Sequence, residues 1–142
     1  MFLNNNFGKT VDILHRAMSA SVLRREVIAN NLANVDTPNF KRSDVNFESQ
    51  LKRALESEKE VPPLEALKTD SRHLSFHQPM DYRMVGPKRV LDYLTNGSNN
   101  NNNVDPETEL MAAQKNQMQY TLLAQAVNNE FNQVNAILRS GV

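Results

Sequence analysis

The chain contains no cysteine and no tryptophan, and only four of its 142 residues are glycine. Without cysteine it has no disulfide, no thiolate ligand for a metal and no thiol nucleophile, so its stability has to come from packing. Aromatic residues make up 6% and hydrophobic residues 39% of the chain, which is little material for a large enzyme core. These shortages argue against a large enzyme core.

The chain also has no excess of positive or negative charge, because its sixteen basic and sixteen acidic residues cancel and are interspersed. A broad positive surface for nucleic acid or for an anionic membrane is therefore not expected. No apolar run approaches the roughly 18 residues that cross a bilayer, so we expect no membrane insertion. The N-terminal residues lack the pattern of a cleaved secretory signal, which leaves cytoplasmic residence and signal-free export both open.

Apolar residues are present in two long segments, Phe7 to Val35 and Leu110 to Leu138, where they alternate four and three positions apart. This spacing is typical of a coiled-coil seam, with Ser21, Arg25 and Gln117 as polar exceptions. At a rise of about 1.5 Å per residue, each helix exceeds roughly 40 Å, so the two helices can pair along most of their length. The expected contact residues are Val11, Leu14, Met18, Ile28 and Leu32 in the first helix, and Leu110, Tyr120, Leu123, Val127, Phe131, Val134 and Leu138 in the second.

The segment between the two helices has weaker patterns. Phe47, Leu51, Ala54 and Leu55 are spaced as in a short amphipathic helix. Several prolines follow, which predicts an extended, loop-like chain over residues 60–95. The sequence therefore predicts a mainly α fold, with paired N- and C-terminal helices, a short third helix and an irregular, loop-rich middle.

Asparagine is unusually common, with nineteen copies and an unbroken run at residues 99–103. Such a run has no apolar side chains for a core, so we expect it to turn or stay mobile as a linker. Asp105 and Pro106, which follow the run after Val104, form a helix start, because Asp caps a helix and Pro fits its first turn. We thus divide the chain into a discontinuous helical domain, residues 1–35 and 105–142, and a connecting segment, residues 36–104.

The last helix carries very little charge. Between Asn116 and Leu138 the only charged residue is Glu130, and the face away from the seam is rich in asparagine and glutamine. Met111, Met118 and Leu122 also lie off the seam, where a solvated helix normally has Lys and Glu. An amide-rich solvent face is one explanation; burial against neighbouring copies of the chain is the other, and we favour it.

Residues 29–42, Ala-Asn-Asn-Leu-Ala-Asn-Val-Asp-Thr-Pro-Asn-Phe-Lys-Arg, predict a helix end followed by a tight turn. Asn34 is expected in the left-handed conformation just past the helix, and Asn39 is expected at positive φ after Pro38. Phe40 then leaves the turn in a defined direction and can dock.

This stretch resembles the signature of the bacterial flagellar rod, hook and hook-junction proteins, Asn-Asn-Leu-Ala-Asn-x-x-Thr-Pro-Gly-aromatic. Asn39 stands where that signature usually has glycine, a mild departure because asparagine tolerates positive φ. The chain is most similar to the proximal-rod proteins of the basal body, through Lys41 to Phe47, Asn102 to Asp105 and Asn116 to Tyr120. The resemblance covers about residues 10–58 and 100–140.

The resemblance implies a structural subunit of the proximal rod, which polymerises into a hollow drive shaft that transmits motor torque. Its partners would be itself, other flagellar rod proteins, the rod-to-membrane-ring junction and the flagellar export apparatus, and its place the periplasmic rod, reached by type III export without a cleaved signal. The alternative is a small coiled-coil adaptor or chaperone-like binding module. The motif residues expected to serve assembly are Asn30, Asn31, Asn34, Thr37, Pro38 and Phe40.

Catalytic and metal sites are not expected. His73 and His77 have the spacing of two ligands on one helix face, but Pro79 argues against a helix there. The chain has no Gly-x-Ser-x-Gly elbow and no glycine-rich phosphate loop. We therefore predict no enzyme activity, no cofactor and no small-molecule substrate.

Overall fold

The computed structural model describes residues 6–59, 69–70, 72–73, 79–95 and 100–140. In chain order its elements are helix α1 (Asn6–Ala33), strand β1 (Ser43–Asn46), helix α2 (Glu48–Ser57), a 3₁₀ helix (Tyr82–Met84), strand β2 (Lys88–Leu91) and helix α3 (Pro106–Ser140). The predicted fold class is confirmed, since two long terminal helices and a short third helix dominate the chain.

Helices α1 and α3 lie side by side and antiparallel. Near one end the rings of Phe7 and Phe131 pack edge to face, with centroids 5.8 Å apart. Further along, Ser21 Oγ donates to Asn116 Oδ1 at 2.9 Å, and at the other end Asn31 reaches Glu109. The pairing thus runs from the start of α1 to its last turns, as predicted.

The residues of α3 that face α1 differ from the predicted heptad at two positions. Glu109 and Asn116, with 0% and 4% of their surface exposed, occupy the places expected for Leu110 and Gln117, whereas Leu110 is 55% exposed. An α-helix has 3.6 residues per turn rather than 3.5, so a strict heptad drifts around it. Glu109 and Asn116 face α1 instead, because they form hydrogen bonds with Asn31 and Ser21 of that helix.

The opposite side of α1 packs on the connecting segment. Phe47, Tyr82 and Val85 form the apolar core with two small residues, Ala20 of α1 and Ala54 of α2. Both alanines are almost completely buried at this contact. The predicted short helix is confirmed, with Phe47 just before its first residue. Partly buried side chains that complete the core are Ile13, Ala17, Leu51 and Leu55.

Strands β1 and β2 form an antiparallel ribbon in which Ser43 is opposite Leu91 and Asn46 is opposite Lys88. The expectation of an extended, loop-like segment over residues 60–95 did not include β2 or the 3₁₀ helix, and residues 60–68, 71 and 74–78 of that range lie outside the described part. The partner of β2 lies more than forty residues earlier in the chain, as the register shows. Periodicity within four residues cannot reveal such a distant pairing.

The turn after α1 follows the prediction at one asparagine and departs from it at another. Asn39 has φ = 60°, as predicted, and Asn101 is the other described non-glycine residue with positive φ. The left-handed conformation predicted for Asn34 is wrong. Instead its backbone N–H donates to the Asn31 carbonyl at 3.1 Å, and its side chain donates to the Asn30 carbonyl at 2.8 Å. These bonds satisfy the carbonyls that a left-handed residue would otherwise serve.

The start of α3 agrees with the prediction. Asp105 Oδ1 accepts the N–H of Glu107 at 3.1 Å, and Asp105 Oδ2 accepts the hydroxyl hydrogen of Thr108. The Thr108 bond is the main reason that the pKa of Asp105 is below its usual value.

Within the described residues, no helix combines the length and apolar character needed to cross a membrane.

Candidate functional site

The end of α1, the start of β1 and the start of α3 meet at a group of polar side chains. We call it the asparagine cluster and define it as Asn31, Asn102 and Asn103 together with Arg42 and Glu109. All three asparagines and the glutamate are buried. Buried polar groups are stable only when they are hydrogen-bonded, so their partners define what the cluster does.

Asn31 completes the outer edge of β1. Its Oδ1 accepts the Ser43 backbone N–H at 3.0 Å, and its Nδ2 donates to the Ser43 carbonyl at 2.8 Å. The amide therefore imitates a neighbouring strand. Nδ2 also donates to Glu109 Oε2 at 3.2 Å, which connects the end of α1 to the start of α3.

Glu109 is held in the interior by Arg42. The guanidinium Nε of Arg42 donates to Glu109 Oε1, while the other carboxylate oxygen accepts from Asn31. Burial alone would lower the pKa of Arg42, but the hydrogen bond and the charge of Glu109 outweigh it and raise the pKa. A buried carboxylate with a charged and a neutral donor is stable, whereas removal of either donor leaves it poorly compensated.

Asn102 joins the turn to the start of α3. Its Nδ2 lies 2.8–2.9 Å from the carbonyl oxygens of Asn34, Val35 and Thr37. Its Oδ1 accepts the N–H of Val104 at 2.8 Å. One side chain thus ties the motif turn to the residues that lead into α3.

Asn103 closes the end of the ribbon. Its Oδ1 accepts the Arg42 backbone N–H at 2.6 Å, and its Nδ2 donates to the Asp92 carbonyl at 2.8 Å. Asp92 N–H already bonds the Arg42 carbonyl. The Asn103 amide takes the place of the second bond of this pair, from Arg42 N–H to the Asp92 carbonyl. The expectation of a mobile linker is therefore wrong for Asn102 and Asn103; residues 96–99 lie outside the described part.

The other motif residues surround the cluster without entering it. Leu32, Asn34 and Phe40 are half-buried, and Asn30, Thr37 and Pro38 are exposed. The side-chain oxygen of Asn30 accepts from Arg89 of β2 at 3.2 Å. The structure thus places Asn31 in the cluster, keeps Asn34 half-buried beside it and leaves the side chains of Thr37 and Pro38 on the surface.

The predicted seam residues differ in burial. Ile28 is buried, and most of the others are half-buried. Leu110, Tyr120, Phe131 and Leu138 are exposed in the single chain. The half-buried residues are Val11, Leu14, Met18 and Leu32 of α1, and Leu123, Val127 and Val134 of α3.

A second candidate surface is the outer face of α3, which we define as Met111, Met118 and Leu122. These side chains are 71%, 68% and 59% exposed. At roughly 100° per residue, Met118 lies about 180° from Glu109 around the helix, so this face points away from α1. Exposed apolar side chains that line up on one helix face are typical of a protein interface.

The roles of Arg42, Asn102, Asn103 and Glu109 were not predicted from the sequence. No spacing rule connects Arg42 to Glu109, which is 67 residues away. The one signal was the resemblance of residues 102–105 to rod proteins, which marked this segment without explaining it. The chemistry became visible only when the three segments were brought together.

The histidines do not form a metal site in the described residues. No group of three or more His, Cys, Asp or Glu side chains suited to a metal ion occurs there. His15 and His73 are exposed. His77, the second candidate ligand, lies outside the described residues.

Two buried serines offer a test of the hydrogen bonds between the helices. Ser21 exchanges two bonds with Asn116, whereas Ser43 Oγ has no hydrogen-bond partner in the described part of the chain. We expect Ser21→Ala to lower the free energy of unfolding by about 1–2 kcal/mol. Ser43→Ala should be neutral or stabilising by up to about 1 kcal/mol, because it removes an unsatisfied hydroxyl. Urea denaturation measures both; equal losses would contradict the assignment.

A family model and several known proteins that match the chain are all flagellar basal body rod proteins. A family model described as flagella basal body rod protein matches residues 12–41, which include most of α1 and the turn. The chain is 41% identical to the flagellar basal body rod protein FlgB of Borreliella burgdorferi, over 95% of this chain and 99% of that protein. FlgB of Bacillus subtilis is 35% identical, over 95% of this chain and 97% of its own length. FlgB of Escherichia coli is 27% identical, over 88% and 89%.

Proposed function

The chain belongs to the family of flagellar basal body rod proteins named FlgB, and we propose that it builds the proximal rod by polymerising through its two terminal helices. It is a structural subunit of the rod and assembles there with other rod proteins. In our proposal the helical domain of residues 1–35 and 105–142 forms the assembling part. Residues 36–104 connect its two halves and brace α1.

The observation that carries the proposal is the exposure of the apolar outer face of α3. Full burial of a methionine or leucine side chain contributes roughly 1.5–3 kcal/mol. Met111, Met118 and Leu122 are each more than half exposed, so covering them contributes roughly 1–2 kcal/mol apiece. The amide side chains around them can bond to a neighbour without the cost of desolvating a charge.

Such a face suits an open polymer. A surface that meets a different surface of the next copy generates a filament unless the rotation closes a ring. The outer face of α3 is distinct from the seam that α3 shares with α1, so each subunit can pair internally and still bind a neighbour. We expect the remaining exposed seam residues, including Phe131 and Leu138, to be covered in the same way.

The motif residues complete the proposed assembly site. Asn30, Thr37 and Pro38 are exposed near the end of α1, where a neighbouring subunit can reach them. Asn31 and Asn34 position this surface through their bonds to Ser43 and Asn30. The proposed role is mechanical: the helices transmit torque along the rod, with no catalytic step and no cofactor.

We extend the proposal to location and partners. The subunit would be exported through the flagellar apparatus without a cleaved signal and would assemble in the periplasm, with contacts at the rod-to-membrane-ring junction. Family membership supports these points. A coiled-coil adaptor would instead favour a charged outer helix face, and between Asn116 and Leu138 the only charge on α3 is Glu130.

A single charge on the outer face should separate assembly from folding. Met118→Asp is expected to prevent rod formation and swimming, because the new carboxylate would be buried against a neighbouring subunit at a cost of several kcal/mol. The matched control is Met84→Asp, since Met84 is 85% exposed and lies on the 3₁₀ helix.

The measurements are soft-agar motility and recovery of basal bodies from cells that carry only the variant chain. Both purified variants should retain the helical content and melting temperature of the wild type, because both positions are exposed in the single chain. Normal swimming with Met118→Asp would remove the outer face of α3 from the proposed interface.

A further inference from the structure

The two edges of the β1–β2 ribbon differ in how they are covered. The outer edge of β1 is closed by α1, because Asn31 bonds both main-chain groups of Ser43. Arg24 also approaches the Val45 carbonyl, at 3.4 Å. No helix side chain serves the outer edge of β2 in this way within the described residues, and all four residues of β2 are exposed. An open strand edge is a template for pairing with another chain.

The register identifies which main-chain groups of β2 point outward. Asp92 N–H donates to the Arg42 carbonyl at 2.8 Å. In an antiparallel ladder, hydrogen-bonded pairs recur at every second residue, so Val90 and Lys88 bond inward to β1. The N–H and C=O groups of Arg89 and Leu91 therefore face away from the ribbon.

The side chains along this edge combine apolar surface with positive charge. Val90, Leu91 and the following Tyr93 and Leu94 are exposed. Lys88 and Arg89 make none of the ion pairs found in the described residues. Arg89 has only the neutral oxygen of Asn30 as a hydrogen-bond partner there. The edge thus offers main-chain bonds, apolar contacts and two cations that make no ion pair within the described residues.

We propose that β2 binds an extended segment of another protein chain, which carries both acidic and apolar residues, as a third strand of the ribbon. Strand addition supplies main-chain bonds, and alternate side chains supply specificity. Charge complementarity selects an acidic segment. A second copy of β2 is a poor occupant, because basic residues on an edge strand oppose pairing with an identical edge. The proposal uses none of the outer-face residues of α3 and is independent of them.

The test measures fluorescence anisotropy of two labelled octapeptides, alternating Val-Glu and alternating Val-Lys, titrated with the full chain. The Val-Glu peptide should bind, and added salt should weaken the binding. Lys88→Glu with Arg89→Glu should lower its affinity at least tenfold and reverse the preference toward Val-Lys. No binding, or binding that ignores these charges, would overturn the proposal.

A second variant tests the main-chain bonds. Leu91→Pro removes an outward N–H and no ladder bond, so it should lower affinity at least tenfold, whereas Leu91→Ala should lower it less. Should the proline variant fail to fold, a Val-Glu peptide methylated at alternate backbone nitrogens provides the same test with the wild-type chain. Undiminished binding of that peptide would refute strand addition. Wild-type dimers in sedimentation that Leu91→Ala abolishes would name the second copy as occupant and also overturn the proposal.

Discussion

Replacement of Asn31 by aspartate is expected to lower the free energy of unfolding by about 3–5 kcal/mol and to prevent rod assembly. The Asn31 side chain is fully buried, and its Nδ2 lies 3.2 Å from Glu109 Oε2. The substitution would place a second carboxylate against the first and would remove the donor to the Ser43 carbonyl. Two like charges and an unsatisfied carbonyl would then occupy a site from which water is excluded.

The matched control is Asn30→Asp, one position earlier on the same helix. Asn30 is exposed and accepts from Arg89, so an aspartate there gains a charge partner and should leave stability within about 0.5 kcal/mol of wild type. Urea denaturation at neutral pH measures both variants. The Asn31→Asp deficit should shrink as the pH falls toward about 4, because protonation of the introduced carboxyl group removes the repulsion between like charges.

A pH-independent deficit would show that the loss comes from the missing amide donor and not from the two charges. Equal unfolding curves for wild type and Asn31→Asp would contradict the role assigned to the asparagine cluster. Basal bodies isolated from the two strains provide the functional comparison, in which only Asn30→Asp should yield rods.

The second large effect is expected at Phe47. Its side chain is 1% exposed and lies in the core formed by α1, α2 and the 3₁₀ helix. Phe47→Ala should lower the free energy of unfolding by about 3–5 kcal/mol, from lost transfer energy and from the cavity left behind. Because domains of this size are stable by roughly 5–15 kcal/mol, the variant should lose much of its stability.

Phe40→Ala is the matched control, since the same side chain is removed from a half-buried position in the turn. We expect about half the loss seen at Phe47, because less apolar surface is buried there. Thermal and urea unfolding compare the two variants. A larger loss at Phe40 than at Phe47 would mean that the main core lies at the turn instead of between α1 and α2.

Much of the helical architecture was predictable, because it depends on residues that are close in the chain. The apolar spacing from Phe7 onward indicated α1, and Asp105 with Pro106 marked the start of α3. The positive φ of Asn39 followed from its place after Pro38 and from the tolerance of asparagine for that region. Each of these features requires information from only a few neighbouring residues.

The asparagine cluster and the ribbon were not predictable in this way. Asn102 bonds carbonyls 65 to 68 residues earlier, and Glu109 receives hydrogen bonds from Asn31 and Arg42 across similar distances. A run of asparagines is typical of a linker. Here the fold places carbonyl groups of the turn beside Asn102, and the side chain becomes buried by bonding to them. The spacing of polar residues along the chain does not indicate which distant groups they bond to. Their burial could therefore not be predicted without the fold.

The two terminal helices with their shared seam, and the turn that marks the rod family, were therefore determined by the amino-acid sequence alone, since local hydrogen bonds and apolar periodicity specify them. The register of that seam was decided by tertiary structure. Glu109 and Asn116 replace Leu110 and Gln117 on the contact line because Asn31, Arg42 and Ser21 satisfy the buried polar groups there. Polar residues can be buried in a seam only where the fold supplies their hydrogen-bond partners.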